Sequence, residues 1–280
     1  MSKIFILSIV FFCLSCNDAP QEPKTTKIPK EKATELPRYQ PITEFDKDTK
    51  TIHIMVALCD NENQGIVPVP ARIGNGQDPK NNLYWGTAYG IKTYFKRSKE
   101  WSLLATQNLN DTILERVIFK HKLKNFYLVA DAYDGRYIKK TTTNFLRSSY
   151  GMVKDTVKVG VVTLGIEGNA KLLAYVGHDG LMEFDLTEKF EKTDTLKRDV
   201  IILACISQEY FAPYLAQANI NPLVWTTNLM APEAYIIHDA LSGYVQGELN
   251  SEIRLRAAKA YAKYQKCGLK GAKRLLVSGR

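Results

Sequence analysis

The chain has 280 residues, 45% of them hydrophobic and 24% charged, with a formal net charge of +9. That balance excludes an intrinsically disordered chain and supplies enough apolar material for a sizeable core. The excess charge is uneven: residues 251–280 carry Arg254, Arg256, Lys259, Lys263, Lys266, Lys270, Lys273, Arg274 and Arg280 against one acid, Glu252.

Residues 1–15 hold one early charge, Lys3, then an apolar run from Ile4 to Phe12 with Ser8 as its single polar residue, and lead into Leu14-Ser15-Cys16. This pattern reads as a signal peptide, too short to cross a bilayer as a helix. A small residue directly before a cysteine, followed by Asn17 and Asp18, resembles the cleavage site of bacterial lipoproteins, including relaxed versions of the Bacteroidetes type. Cys13 stands where that pattern prefers leucine. The resemblance implies that Cys16 is lipidated and anchors the protein in the cell envelope, on the periplasmic or surface face of the outer membrane; an ordinary secretory signal is the plainer alternative. Residues 16–48, with Pro20, Pro23, Pro29, Pro37 and Pro41, have too little apolar surface to fold alone and read as a tether. Residues 49–280 read as one domain.

That domain opens with a strand at 52–58 (IHIMVAL), closed by Cys59-Asp60-Asn61. The segment 60–82, rich in Asn, Gln, Gly and Pro, reads as a long loop, either one wall of a cleft or plain surface. Asn82 is placed to cap a helix over 83–95 whose aromatics face the core. Residues 115–119 are a short strand or helix, 126–130 (FYLVA) a buried strand closed by Asp131, and 138–150 a helix. Residues 157–163 suit an edge or insertion strand. Strands follow at 172–176 and 199–203, a helix at 209–218 and a strand at 223–227. Residues 234–276 read as two helices with a break at Gly268.

Alternating strands and helices predict an α/β fold, a three-layer α-β-α sandwich with a mostly parallel sheet. Right-handed crossovers bring the strand carboxyl ends to one rim, where Asp60, Asp131, His178, Cys205 and Asn228 are expected. Two apolar strands end in reactive side chains, His178 and Cys205, and an imidazole beside a thiol makes a nucleophile. Three cysteines lie beyond the signal: Cys59 and Cys267 are available to pair, leaving Cys205 free, or all three stay reduced. His53 and His121 lack partners at metal spacing, His238-Asp239 suits a helix surface, and Gly74 and Gly76 belong to no phosphate-binding motif. No cofactor or metal is expected. The basic tail suits a solvated helix face or attraction to phosphates on lipid or lipopolysaccharide; nothing in it marks a nucleic-acid binder.

The pair of motifs, an apolar strand ending in Gly177-His178 with Gly180 close behind and a second ending in Ala204-Cys205, resembles the caspase–legumain–gingipain group of cysteine peptidases. The likeness covers roughly residues 51–244 in strand order. It implies that Cys205 is the nucleophile and His178 the general base and acid, in a His-Cys dyad that hydrolyses peptide or protein substrates. It further implies that backbone N–H groups at Cys205 and Gly180 hold an oxyanion. The group writes His-Gly where this chain has His178-Asp179-Gly180, so Asp179 either orients the imidazole or sets a charge against substrate. Positions matching the group's recognition of the side chain before the scissile bond are Asp60 and Asn61, where an acid would favour Lys or Arg; turn capping is their plainer role. Two other readings stand beside the peptidase: a non-catalytic lipoprotein that binds a glycan or peptide on the same scaffold, and a scaffold whose basic tail docks on anionic lipid.

Overall fold

A computed structural model describes residues 44–279, all within one compact unit. The signal segment, Cys16 and most of the tether lie outside the described residues. The tether's last residues are already part of the body: Asp46 N–H donates to the Thr163 carbonyl, and Phe45 packs beside Gly165.

The elements in chain order are β1 (Lys50–Ala57), α1 (Ile91–Lys96), β2 (Trp101–Asn108), β3 (Ile113–His121), β4 (Phe126–Tyr133), α2 (Ile138–Tyr150), β5 (Lys154–Val159), β6 (Val162–Glu167), β7 (Leu172–Val176), β8 (Arg198–Leu203), α3 (Ser207–Leu215), β9 (Ile220–Thr226), α4 (Ala234–Gln246), α5 (Asn250–Gln265), α6 (Gly268–Leu275) and β10 (Leu276–Val277). The fold is α/β, with a mixed eight-stranded sheet in the order β10-β9-β8-β7-β1-β4-β3-β2. The strands β4, β1, β7, β8 and β9 run parallel; β2, β3 and β10 are antiparallel to their neighbours.

The parallel strands are apolar on both sides because both faces are covered. Ile52, Ile54 and Val56 of β1 point to the face packed by α1, α4 and α5, together with Leu172, Ala174 and Val176 of β7. Met55, Ala57, Leu173 and Tyr175 point to the other face, beneath α2 and α3. Over β3 and β4 that second face is covered by the β5–β6 hairpin, through Val157, Leu164 and Ile166.

Several expected elements differ. The helix over 83–95 shrinks to α1, because Asn82 does not cap a helix. Its amide oxygen accepts from the Cys59 and Tyr84 N–H groups, and its nitrogen donates to the Cys59 and Asn75 carbonyls. Asn82 thus staples the loop to the end of β1, and residues 83–90 stay in turns. The strand at 157–163 is two strands folded on each other as a separate sheet. The tail forms three helices. β2, whose sequence gave no signal of its own, pairs with β3 at the sheet edge. The possible Cys59–Cys267 bridge does not exist, and all three described cysteines are free.

Asp131 is also displaced from its expected position. It does not end a strand; β4 continues to Tyr133, and Asp131 is fully buried within it. Arg116 lies opposite in register on β3 and grips the carboxylate with Nε at 2.6 Å and a second nitrogen at 2.7 Å, while His53 Nε2 lies 3.0 Å away. The Glu167 N–H closes the network on His53 Nδ1, tying the hairpin to the sheet. Burial pushes the Asp131 carboxyl up, but the Arg116 and His53 hydrogen bonds outweigh it and hold the group at about 2. Its ionised form is therefore favoured in the fold, and the stability it contributes is present above pH 4 and lost as pH falls towards 2. Asp131→Ala strands a buried guanidinium, and equilibrium urea unfolding is expected to register a loss of about 3–5 kcal/mol.

Candidate functional site

The site begins with the register between β7 and β8. Val176 lies opposite Leu203, and two residues further along each strand come His178 and Cys205. Adjacent strands are separated by about 4.8 Å, so residues at equal offsets leave the sheet as neighbours. Gly177 makes the exit of β7 possible: its φ is 147°, and a Cβ there would sit 2.6 Å from the Ala57 carbonyl oxygen of β1.

The exit of β8 is tighter. Ile206, directly after Cys205, adopts the left-handed conformation with φ 50° and ψ 29°, which a β-branched residue seldom accepts. Two hydroxyls hold it there. Ser207 Oγ donates to the Ile202 carbonyl at 3.0 Å and accepts the Thr226 N–H at 3.0 Å. Thr226 Oγ1 donates to the Ala204 carbonyl and accepts the Ser207 N–H at 3.1 Å. The Ile206 N–H donates to the Asn228 carbonyl at 3.0 Å, tying the turn to the segment after β9. Local strain at a reactive residue persists only where the surroundings enforce it.

Cys205 and His178 line one cavity of about 290 Å3, together with Gly177, Tyr84 and Met230. Sγ of Cys205 accepts the Met230 N–H at 3.4 Å and donates to the Met230 carbonyl at 3.6 Å. It makes no hydrogen bond to His178. Burial raises the thiol above its ordinary range; the Met230 bond lowers it in part, and the charge of Asp179 raises it again.

The imidazole is oriented by a carboxylate that the sequence reading did not single out. His178 Nε2 meets Glu183 Oε1 in a short hydrogen bond, and the same oxygen accepts the Gly65 N–H at 2.5 Å. With Nε2–H directed at the carboxylate, the lone pair resides on Nδ1, which has no hydrogen-bond partner among the described residues. The His178 carbonyl accepts the Tyr175 hydroxyl at 2.8 Å. The signal for Glu183 was its position five residues after His178; only the 3-10 turn Gly180–Met182 brings it back to the ring.

Asp179 does not touch the imidazole. Its Oδ1 accepts the Leu181 N–H at 3.0 Å, capping that turn, while Oδ2 is buried without a partner. Burial raises its pKa to about 7, partly offset by the Leu181 bond. Gly180 is not among the cavity residues; a Cβ there would lie 2.6 Å from the Phe184 ring, so packing requires this glycine. The cavity thus contains Cys205, whose amide is one of the two expected oxyanion donors, without Gly180, whose amide is the other.

Asp60 and Asn61 do not line the cavity either. The Asp60 carboxylate accepts from the Glu62 and Asn63 N–H groups, the Asn63 amide and the Gln77 amide at 2.7–3.2 Å. Asn61 exchanges two hydrogen bonds with the Val69 backbone. Both side chains are committed to the 60–82 loop, and through them the loop presents Ile66, Val67 and Val69 as one wall of the cavity. Among the described residues, no group of three His, Cys, Asp or Glu side chains is placed to hold a metal ion.

No family model matches this chain, and neither a curated protein nor a solved structure was found to match it.

The Asp179 carboxyl makes an unusual pH dependence. Between about pH 4 and 7 an unfolded chain ionises this group while the folded chain keeps it protonated, so stability declines as pH rises through that window. Asp179→Asn keeps the cap and cannot ionise. Thermal melts are expected to show a gain on the order of 2–4 kcal/mol at pH 8 that shrinks towards pH 4. Alkylation of Cys205 at pH 8 should quicken a few-fold, since a charge opposing the thiolate is gone.

Proposed function

We propose that this protein is an envelope lipoprotein whose body is a cysteine peptidase, a three-layer α-β-α sandwich of the caspase-like kind that hydrolyses peptide bonds. The observation that carries the reading is the register-matched exit of His178 and Cys205 from adjacent parallel strands into one open cavity. In the proposed reaction His178 Nδ1 takes the thiol proton and Cys205 Sγ attacks the peptide carbonyl carbon. The resulting oxyanion is met by backbone N–H donors, the Cys205 amide first among them. As the carbon–nitrogen bond breaks, the imidazolium returns its proton to the leaving amine. A water deprotonated by the same ring then hydrolyses the thioester and restores the thiol. Glu183 supports both transfers by fixing the ring and stabilising the imidazolium.

The alternative is a lipoprotein that binds a peptide or glycan without turnover. It is favoured by the resting state of Cys205, whose sulfur bonds the Met230 backbone rather than the imidazole and whose thiol is held protonated by burial.

Iodoacetamide labelling separates the two. In a Cys267→Ser background, which removes the exposed thiol, Cys205 is expected to react at pH 7 roughly tenfold faster than in the same background carrying His178→Ala, with Glu183→Gln in between. Equal rates in the three proteins would overturn the peptidase reading and favour the binding one. The envelope placement rests on Cys16 and has its own test: metabolic labelling with a fatty-acid analogue should mark the wild type and spare Cys16→Ala. Among the described residues no helix is long and apolar enough to cross a membrane.

A further inference from the structure

The walls of the cavity differ in character from the chemistry at its base. Beyond His178 and Cys205 no residue lining it is Asp, Glu, Lys or Arg. Ile66, Val67 and Val69 come from the loop after β1, Met182 from the turn after β7, and Leu229, Met230 and Pro232 from the segment after β9. Three of these are displayed to solvent: Val67 is 87% exposed, Leu229 64% and Met182 37%. Large apolar side chains scattered singly over a surface need no explanation, but three around the mouth of one cavity mark a surface that is covered by something apolar.

The single acid expected to select a basic side chain is removed from consideration by its own hydrogen bonds. The four donors on Asp60 leave it buried in the loop, outside the cavity. Glu183, the carboxylate hydrogen-bonded to the cavity's His178, is engaged by the imidazole and the Gly65 N–H. A lysine or arginine entering here would lose its hydration and meet no carboxylate among the lining residues, and an aspartate would meet no guanidinium there. An apolar side chain loses nothing by entering and removes Val67, Met182 and Leu229 from water as it does so.

We infer that the cavity accepts a bulky apolar side chain, of the size of leucine, methionine or phenylalanine, on the residue whose carbonyl meets Cys205, so that the substrates are peptides recognised by an apolar residue before the scissile bond. The cut rests on the peptidase reading above; the fit of the side chain does not. Since the loop after β1 and the segment after β9 stand on either side of the Cys205–His178 pair, an extended peptide laid between them presents one side chain to these walls while its carbonyl lies over the sulfur.

The test uses the full chain and a set of peptidyl acyloxymethyl ketones that differ only in the last residue: Leu, Met or Phe against Lys, Arg, Asp or Asn. Modification of Cys205, followed by mass spectrometry, is expected to be at least roughly tenfold faster with the apolar members. Val67→Glu and Leu229→Glu alter solvent-displayed positions that the core does not depend on. Either variant should erase that preference and speed the lysine ketone. Faster modification by a charged member in the wild type would overturn the inference while leaving the peptidase reading intact. If Cys205 is inert to every ketone, the peptidase reading fails, and the side-chain preference is then read from binding. Fluorescently labelled, unreactive peptide amides of the same series are titrated onto Cys205→Ala by anisotropy. Tighter binding of the apolar endings upholds the inference; equal or reversed affinities end it.

Discussion

The parallel pairing of β7 with β8 is the constraint on which the site depends. A side chain leaves a strand at a height set by register, and a slip of one residue would send it to the opposite face. Val176 opposite Leu203 fixes that height for both His178 and Cys205. The pairing is secured far from the chemistry. Leu173, Tyr175, Val200 and Ile202 pack beneath α2 and α3, and Leu172, Ala174, Ile201 and Leu203 pack beneath the opposite helices. Each strand is wedged on both faces, so neither slides without exposing a full row of apolar side chains. What remains for the polar residues is local. Ser207 and Thr226 exchange hydrogen bonds to hold the turn after β8, and Glu183 holds the ring after β7.

Three buried or half-buried carboxylates show how surroundings divide the work of one functional group. Asp131 is kept ionised by a bidentate guanidinium and an imidazole, and serves as a cross-brace between β1, β3 and β4. Asp179 has one N–H and one oxygen without a partner, and burial raises its pKa to about 7. Glu183 is partly exposed and spends one oxygen on both His178 and Gly65, which links the loop after β1 to the imidazole in the cavity. Only the last is placed to act on the imidazole. Asp179, although adjacent to His178 in sequence, is turned away by the 3-10 turn that it caps.

The sequence was most legible where a pattern is enforced by short-range geometry or by burial on both faces. The apolar runs of β1, β7, β8 and β9, and the helix α2, were readable to within three residues. So was the placement of His178 and Cys205 just beyond the ends of adjacent strands, because strand order in an α/β chain leaves few alternatives. What was not legible depended on partners distant in the chain. Asp131 looks like a strand end until Arg116 and His53 are found beside it. Asn82 looks like a helix cap until Cys59 and Asn75 claim its amide, and the helix expected after it gives way to turns. Asp60 and Asn61 look like recognition residues until the loop that follows consumes every hydrogen-bonding atom of their side chains. Polar side chains carry no periodicity that names their partner, and the cavity walls, drawn from three separate segments, carry none at all.

The Met230 backbone connects these threads. In the resting protein it holds both hydrogen-bonding capacities of the Cys205 sulfur, its N–H donating and its carbonyl accepting. Hydrogen bonds to sulfur are weak, and exchanging them for a substrate's groups costs little. The same segment supplies Leu229, Met230 and Pro232 to the apolar wall. It also receives the Ile206 N–H through Asn228, and so is tied to the strained turn that carries the thiol. A ligand that fills the cavity therefore meets the element that hydrogen-bonds the sulfur. Covering Val67, Met182 and Leu229 supplies a driving force that a small polar molecule cannot, since only apolar area removed from water contributes it. The wall that offers apolar surface to a ligand and the backbone that hydrogen-bonds the thiol are therefore one and the same short segment after β9.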